Sequence, residues 1–301
     1  MASTRRSKFV CLVAASVLAL PALAAAQGNS GFGHSHNGSR VTAPSSSTSS
    51  SSSPSSPEAA AAQAPTYGVD VRNFGTWLDD ASVMGAGSGF VTLGLAYWRG
   101  PEFREFDLPM VESGVAIHPR VQVGMSFPYY YAGPPDGPVV KGFGNVYMTT
   151  KVQLRDPSSH AVGVAVTPML EVLDTPPLTG GHRVNWALPA NVELRREGWR
   201  TFASGGYFSR GALFASGAVE AAVAERAWLM ASLSQSYSTR ADEITAALAL
   251  PRGQTDITGG LTLALNPRIA VYGTVGHTIS HRETNAGTLN LTSGMSFNFS
   301  R

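Results

Sequence analysis

The stretch RVQVGMSFPYYY, residues 120–131, alternates between apolar and polar side chains along almost its whole length. Successive side chains of a β-strand point to opposite faces, so this alternation predicts a strand with one apolar face and one mostly polar face. The apolar face carries Val121, Val123, Met125, Phe127, Tyr129 and Tyr131. Such a face packs either on the core of a soluble protein or on lipid. The tyrosines at one end of the stretch favour lipid.

The N-terminus, residues 1–26, has the three parts of a secretory signal peptide. A basic region, RRSK, precedes an apolar run that ends at Leu20, and Ala24–Ala26 supplies the small residues before a cleavage site. Pro21 and these small residues argue against the alternative, a transmembrane anchor. We therefore predict export, with cleavage after Ala26. Because the single cysteine, Cys11, leaves with the signal, disulfides do not stabilise the mature chain.

Residues 27–65 form a polar, low-complexity tract that predicts a disordered linker. Ten of the twelve residues from Ser45 to Ser56 are serine, and such a composition buries too little apolar surface to offset the entropy of ordering. His34 and His36 are either solvated or a weak metal pair, and no further ligands are near, so no metal site is predicted. The chain has 22 basic and 20 acidic residues, and the signal peptide holds three of the basic ones. The mature chain is therefore nearly neutral, and no nucleic-acid partner is expected.

Beyond residue 65 the chain is rich in glycine, low in charge, and built of short segments with period-two alternation between turn signals. This pattern is typical of a β-barrel rather than of helices. The twelve predicted strands are Gly89–Trp98, Asp107–Ile117, Arg120–Tyr131, Asn145–Arg155, Ala161–Leu173, His182–Arg196, Trp199–Ser209, Ala212–Ala224, Ala227–Thr239, Asp256–Asn266, Ile269–Ser280 and Thr288–Phe299. Residues 66–88 precede the first strand and are a candidate for entering the barrel lumen.

Three features favour an all-β fold in which residues 89–301 form one antiparallel transmembrane β-barrel of about 12 strands. The number of strands is even. The connections after strands 2, 4, 6, 8 and 10 are short, whereas those after strands 1, 3, 5, 9 and 11 are longer and only that after strand 7 departs from the rule. Each strand also reaches the ~9–11 residues that a tilted β-strand needs to cross a bilayer. With both termini in the periplasm, these features predict a barrel of the bacterial outer membrane.

Aromatic side chains collect at the predicted strand ends, as expected for residues at the two membrane interfaces. Aromatic residues of a soluble core have no reason to sort in this way. The predicted interface aromatics are Tyr97, Trp98, Tyr129, Tyr130 and Tyr131 on the outer side and Trp199, Trp228, Phe297 and Phe299 on the inner side. The last strand, which ends in GMSFNF, resembles the C-terminal signal that such barrels present to their assembly machinery. Outer-membrane lipids and this machinery are therefore the expected partners.

Charged and amide side chains that alternate with the apolar ones are predicted to face the lumen, since a charge facing lipid at the midplane costs roughly 2–4 kcal/mol. They are Glu112, Lys151, Gln153, Glu171, Arg183, Asn185, Glu193, Arg195 and Glu220. Two interpretations remain open: these residues line a permeation path, or they pair with one another across a packed lumen. The first predicts a narrow channel or transporter for small molecules. The second predicts a non-conducting structural or surface-interaction barrel.

No arrangement of residues predicts an enzyme. A barrel phospholipase needs a serine nucleophile, a histidine base and a polar residue that orients the base. The nearest candidate is GHTISH, with His277, Ser280 and His281, but it lacks the His-x-Ser-Asn arrangement of that family. His277 also shares its face with the apolar Val275 and Ile279. No phosphate-binding loop, metal motif or cofactor motif occurs in the sequence.

Two neighbouring stretches, VQVGMSFPYYY (121–131) and GFGNVYMTTKVQL (142–154), carry a family resemblance. They are similar to the phenol-degradation (MetA-pathway) family of outer-membrane transporters, in which a strand ends in an apolar-Pro-aromatic sequence and a Gly-x-Gly-Asp-like turn leads into a strand with a central lysine. Asn145 stands at the aspartate position and Lys151 at the lysine position. The resemblance covers the layout of residues 75–299 and these two stretches in motif. It implies a membrane barrel that moves small, often hydrophobic or aromatic, compounds.

Overall fold

The structure is a computed structural model, and it describes residues 40–42, 68–70, 78–100, 104–134, 136–158, 162–173, 183–209, 211–239, 253–280 and 287–299. The predicted signal peptide, most of the predicted linker with His34 and His36, and His281 lie outside the described residues. Inside the predicted linker, Arg40–Thr42 pairs antiparallel with Gly68–Asp70. None of the described residues belongs to a helix long and apolar enough to cross a membrane.

Twelve antiparallel strands in the described part of the chain close into a β-barrel, which confirms the predicted fold class. They are β1 Gly89–Arg99, β2 Arg104–His118, β3 Val121–Gly133, β4 Val140–Phe143 with Val146–Arg155, β5 Val162–Val166 with Met169–Val172, β6 Val184–Arg196, β7 Trp199–Phe208, β8 Ala212–Ala224, β9 Ala227–Ser238, β10 Gly253–Asn266, β11 Ile269–Thr278 and β12 Leu289–Phe299. Each strand pairs with the next. The barrel closes where β12 pairs with β1, from Phe299 opposite Gly89 to Leu289 opposite Arg99.

Alternation along the strands sorts the side chains into an outward face and an inward face. In β6 every second residue from Val184 to Val192 is exposed, and these residues include the apolar Trp186 and Leu188, each about half exposed (50% and 51%). The buried residues between them include Asn185, Asn191 and Glu193. A water-soluble protein shows the reverse arrangement, with apolar residues inside. The outward apolar band is therefore suited to lipid.

The connections differ between the two ends of the barrel. At one end, the short-turn end, β2–β3, β6–β7, β8–β9 and β10–β11 are joined by the two-residue turns 119–120, 197–198, 225–226 and 267–268. At the other end, the long-loop end, the connections include 173–183, 239–252 and 279–288. In barrels of this class the short turns face the periplasm and the long loops face the outside.

One connection at the long-loop end differs from the prediction. The sequence predicts a longer connection after the first strand, but β1 and β2 are joined only by residues 100–103. The prediction is wrong here because both strands continue past their predicted ends, so that Arg99 pairs with Arg104. The ends of these strands carry polar and charged residues, so the alternation of apolar side chains that predicts a strand stops before the strand itself ends.

Candidate functional site

An irregular segment, Leu78–Met84, lies inside the barrel and is called here the lumen segment. All of its residues except Val83 are buried, and Leu78 and Ala81 have no exposed surface. Leu78 belongs to a buried apolar cluster with Phe202 and Trp228, and Met84 to another with Phe90. These clusters and the hydrogen bonds described next involve strands on all sides of the barrel. Only a position within the lumen brings one short segment near all of them.

Hydrogen bonds fix the backbone of the lumen segment to β4 and β7. The Asp79 amide donates to Ser204 Oγ at 2.7 Å, and the Ser204 hydroxyl donates to the Asp79 carbonyl at 2.9 Å. Gln153 Nε2 donates to the Ala81 carbonyl at 3.0 Å. Buried backbone groups need partners, and this segment has no strand ladder that supplies them. Inward-facing side chains of the wall serve Asp79 and Ala81, and the segment's own aspartates accept from the Asp80 and Ser82 amides.

Lys151 of β4 has a buried ammonium whose hydrogen-bond acceptors in the described chain all belong to the lumen segment. Its Nζ lies 2.5 Å from Asp79 Oδ1, 3.0 Å from Asp80 Oδ1 and 3.3 Å from the Ser82 carbonyl oxygen. Three acceptors match the three N–H donors of an ammonium group. A buried ammonium without a carboxylate costs several kcal/mol, so Lys151 and the lumen segment stabilise each other.

Arg200 of β7 connects the barrel wall to the lumen segment. Its guanidinium donates from Nε to Glu220 Oε1 at 3.0 Å and from Nη2 to Glu220 Oε2 at 3.1 Å, which is a two-pronged contact. Its Nη1 donates to Asp80 Oδ2 at 2.8 Å. The guanidinium carbon also lies 4.9 Å from the centre of the Phe202 ring, a cation–π distance. One arginine thus holds two carboxylates, one from the wall and one from the lumen segment.

Ser82 links the lumen segment to β6. Its hydroxyl donates to Glu193 Oε2 at 2.7 Å and accepts from Arg195 Nη2 at 2.9 Å. Arg195 Nη2 also lies 2.7 Å from Glu193 Oε1. The ionic groups joined in this way are called here the lumen network and comprise Asp79, Asp80, Lys151, Glu193, Arg195, Arg200 and Glu220. The lumen network holds four carboxylates against three cations and lies toward the short-turn end.

A second polar group lies on the inward face nearer the long-loop end. The fully buried carboxylate of Glu171 accepts from the Tyr147 hydroxyl at 2.8 Å, from Asn145 Nδ2 at 3.0 Å and from Asn185 Nδ2 at 3.2 Å. Neutral donors of this kind stabilise a buried carboxylate by hydrogen bonding. Beside it lies a buried apolar cluster, which consists of Tyr147, Met169, Ala187, Phe208 and Phe214.

The predicted lumen residues thus divide into three groups. Lys151, Gln153, Glu193, Arg195 and Glu220 meet in or beside the lumen network, whereas Glu171 and Asn185 meet in the second polar group. Glu112 is buried in β2 and Arg183 is exposed at the long-loop end, where its Nη2 donates to the Leu173 carbonyl at 3.0 Å. Neither belongs to the other two groups. A role of these residues in permeation stays a prediction.

Sequence reasoning missed several members of the site, among them Arg200, Ser204, Asp79 and Asp80. Arg200 and Ser204 are buried on the inward face of β7, a strand whose alternation is blurred by glycine. Asp79 and Asp80 lie within residues 66–88, which have no strand periodicity. The available signal was an adjacent pair of acidic residues just before the first strand of a chain with little charge.

The serine and histidine of GHTISH do not form a catalytic pair in the described part of the chain. His277 Nδ1 lies 2.9 Å from the Thr288 carbonyl oxygen, and Ser280 Oγ accepts from the Thr255 amide at 3.0 Å. Each side chain therefore binds backbone rather than the other. Among the described residues, no group of three or more His, Cys, Asp and Glu side chains is placed to hold a metal ion.

Six of the predicted interface aromatics lie on the outward face near strand ends: Tyr97, Tyr129, Tyr131, Trp199, Phe297 and Phe299. Their place at a membrane interface stays a prediction. Aromatic contacts on the same surface join Tyr129 to Phe143, with ring centroids 5.2 Å apart, and Trp186 to Tyr207, with centroids 5.9 Å apart. Phe143, Trp186 and Tyr207 extend the outward aromatic set at the long-loop end.

The expectation for Tyr130 is wrong, because it shares the inward parity of the buried Pro128. The expectation for Trp98 and Trp228 is wrong as well. Both side chains are buried, with 5% and 8% of their surface exposed, and both belong to the inward face. Trp98 shares its parity with the inward Ala96, and Trp228 shares it with the inward Met230. Position at a strand end fixes the depth of a residue, whereas parity decides whether it faces lipid. Trp228 therefore packs with Leu78 inside the barrel rather than at a membrane interface.

Comparison with models of known protein families and with the sequences of curated proteins gives no match. Comparison with solved structures identifies the fold. The chain is similar to an outer-membrane channel from Pseudomonas putida F1, with 10% sequence identity and a TM-score of 0.58, over 73% of this chain and 98% of that one. It is also similar to the NanC porin, with 8% identity and a TM-score of 0.51, over 69% of this chain and 98% of the porin. The fold of this chain is that of an outer-membrane β-barrel.

Proposed function

We propose that this protein is a narrow channel or transporter for small molecules in the outer membrane, and that the lumen segment closes it in the conformation described. The observation that carries the proposal is the pairing of Lys151, whose carboxylate partners lie in the lumen segment and not in the barrel wall. A purely structural interior is expected to pair its wall charges with one another, as Arg200 and Glu220 do. A wall charge that is neutralised by a separate segment supports a lumen that opens when that segment leaves.

The alternative is a non-conducting structural or surface-interaction barrel. It is favoured by the apolar anchors of the lumen segment, since Leu78 and Met84 are buried in clusters of the interior. Under this alternative the lumen segment is a permanent part of the core. The two functions therefore differ in whether the lumen segment exchanges between a bound and a released state.

The resemblance to the phenol-degradation family extends the proposal to hydrophobic or aromatic solutes. The feature that supports this class is the inward apolar cluster near the long-loop end, which includes Tyr147, Phe208 and Phe214. Aromatic rings attract one another in offset-stacked and edge-to-face arrangements. A small aromatic solute that enters from the long-loop end would meet these rings before it meets the lumen network.

Single-channel recording in planar bilayers tests the proposal. The purified mature chain is expected to open rarely, and Asp79→Asn with Asp80→Asn is expected to open far more often, because the substitutions remove the ion pairs of Lys151 and one ion pair of Arg200. Asp136→Asn, in an exposed connection of the long-loop end, is the matched control and is expected to behave as the unmodified chain.

Two results would contradict the proposal. The absence of openings from every variant, with folding shown by the altered gel migration of unheated samples, would refute the channel and favour the structural alternative. Equal open probabilities for the unmodified chain and the double variant would refute closure by the lumen segment. Liposome swelling with phenyl glucoside, an aromatic solute that lipid bilayers exclude, and with a neutral sugar of similar size then tests the solute class, since only a preference for the aromatic solute agrees with the resemblance.

A further inference from the structure

A patch of aromatic and basic side chains lies on the outward face of β1–β4 at the long-loop end. Its members, called here the rim patch, are Tyr97, Arg99, Arg104, Phe106, Tyr131 and Lys141. Within the sheet, Tyr97 lies opposite Phe106, Phe106 opposite Tyr131, and Tyr131 opposite Lys141. Residues that are opposite in this way lie side by side on one face, so they form a continuous row across four strands. The next row toward the loops holds Arg99 directly opposite Arg104.

The arginine pair places two like charges next to each other. Directly opposite residues have Cβ atoms about 4.5–5.5 Å apart, and like charges in this position destabilise a sheet. Arg99 and Arg104 are exposed, and neither forms an ion pair with a carboxylate of the described chain. The nearest acidic residues along β2, Glu105 and Asp107, are buried on the inward face. An anion from outside the chain that binds both guanidinium groups would remove the repulsion.

The depth of the arginine pair identifies that anion. Aromatic side chains at a membrane interface mark the level where hydrocarbon gives way to headgroups. The aromatic row Tyr97–Phe106–Tyr131 lies one row below the arginine pair, and Tyr131 is in further ring contact with Tyr129, with centroids 5.3 Å apart. The arginine pair therefore lies at headgroup level. Guanidinium groups bind phosphate through two parallel hydrogen bonds, which an ammonium group does not match.

We propose that the rim patch binds the phosphorylated glycolipid of the outer leaflet. Arg99 and Arg104 bind one sugar phosphate together, Lys141 contributes a further positive charge, and the aromatic row contacts the sugar and the upper part of an acyl chain. The long-loop end faces the outside in barrels of this class, so this is the lipid that the patch meets. The proposal does not depend on whether the barrel conducts.

The short-turn end offers a matched control. It also carries exposed arginines without an ion-pair partner in the described chain, among them Arg196 at the end of β6 and Arg226 in the β8–β9 turn. Arg196 lies opposite Trp199, so these two arginines are not opposite each other. Replacing them removes the same charge from the opposite rim. Comparing the two double variants therefore separates the effect of total charge on lipid binding from the effect of placing two arginines opposite each other.

Native mass spectrometry of the purified full mature chain, with bis-phosphorylated lipid A as the probe, tests the proposal. Arg99→Gln with Arg104→Gln is expected to weaken lipid A binding at least tenfold, because two charge-assisted contacts to one phosphate are lost. Arg196→Gln with Arg226→Gln is expected to bind as the unmodified chain does. Lipid A without phosphates is expected to bind the unmodified chain no better than the Arg99→Gln, Arg104→Gln variant binds the phosphorylated form.

Three outcomes would overturn the proposal. Equal binding by the unmodified chain and the Arg99→Gln, Arg104→Gln variant would exclude the arginine pair. An equal loss of lipid A binding in the Arg196→Gln, Arg226→Gln variant would show that binding depends on the overall charge of the protein. If vesicles of phosphatidylglycerol compete fully with lipid A for the protein, the ligand of the rim patch is an ordinary anionic phospholipid and not the glycolipid. Gel migration of unheated samples verifies folding, and the single substitution Arg104→Gln, expected to weaken binding by a smaller factor, serves if the double variant does not fold.

Discussion

Replacing Asp80 with asparagine measures how firmly the lumen segment is held. Asp80 Oδ1 lies 3.0 Å from Lys151 Nζ and Oδ2 lies 2.8 Å from Arg200 Nη1, and the aspartate side chain is buried. Asparagine has the same shape but no charge, so both contacts weaken while Lys151 keeps Asp79 and Arg200 keeps Glu220. Removing one partner of a buried ion pair costs about 3–5 kcal/mol. With the remaining carboxylates in place, the lower end of this range applies.

A loss of about 3 kcal/mol corresponds to a change of roughly 100-fold in the equilibrium between the bound and the released segment. Thiol labelling can detect this change. Ala81 has no exposed surface, and the mature chain is expected to contain no cysteine, so Ala81→Cys introduces a single reporter. Its reaction with a membrane-impermeant maleimide is expected to be slow. Adding Asp80→Asn is expected to accelerate it about 100-fold, whereas adding Asp136→Asn leaves the rate unchanged.

Two labelling results would refute this reasoning. Rates that agree within threefold with and without Asp80→Asn would show that the ion pairs do not hold the lumen segment. Rapid labelling of Ala81→Cys alone would show that the segment is released in solution. Slow labelling of all variants in the same bilayers where channels open would show that the channel conducts without release of the lumen segment.

Three further substitutions test the two faces of the barrel and its closure. Glu220→Met is expected to lower the free energy of unfolding by about 3 kcal/mol in urea titrations in phospholipid vesicles, since it removes the two-pronged partner of a buried arginine. Ala190→Arg, on the outward face in the middle of β6, is expected to cost ~2–4 kcal/mol in the same assay. Gly89→Ala is expected to weaken closure of the barrel, because a Cβ there overlaps the Phe299 ring. Gly217→Ala, whose nearest contact is 3.8 Å, is expected to leave the migration of unheated samples unchanged.

The outcomes that would contradict these predictions are equally specific. An Ala190→Arg barrel as stable as the unmodified one would mean that this face does not meet lipid. A Glu220→Met variant with an unchanged free energy of unfolding would mean that the remaining carboxylates satisfy Arg200. Equal migration of the Gly89→Ala and Gly217→Ala variants would mean that the closing strands tolerate displacement of the Phe299 ring.

The faces of the strands were predictable because the signal for them is local. Period-two alternation around Lys151 and Glu193 is sufficient to place both residues inside, since it needs only neighbouring residues. The same signal is present for Trp228, although its position at a strand end favours a membrane interface. Parity with Met230, two residues along the chain, would have placed Trp228 inside.

The contacts of the lumen segment were not predictable from any local pattern. The pair of Lys151 and Asp79 joins residues 72 positions apart, and the pair of Arg200 and Asp80 joins residues 120 positions apart. Neither aspartate lies in a periodic stretch that would fix its direction. Closure of the barrel alone brings these residues together, so their pairing is a property of the folded sheet and not of the surrounding sequence.

The lumen segment can reach its final position only after much of the barrel has formed. It is covalently joined to β1, yet its hydrogen bonds reach as far as Ser204, 125 residues later in the chain. During export it emerges before any of these partners, with Asp79 and Asp80 in water. The two aspartates become inaccessible only after β4–β7 stand around them. A periplasmic protease that cuts between residues 78 and 84 is therefore expected to cleave unfinished barrels and to spare finished ones.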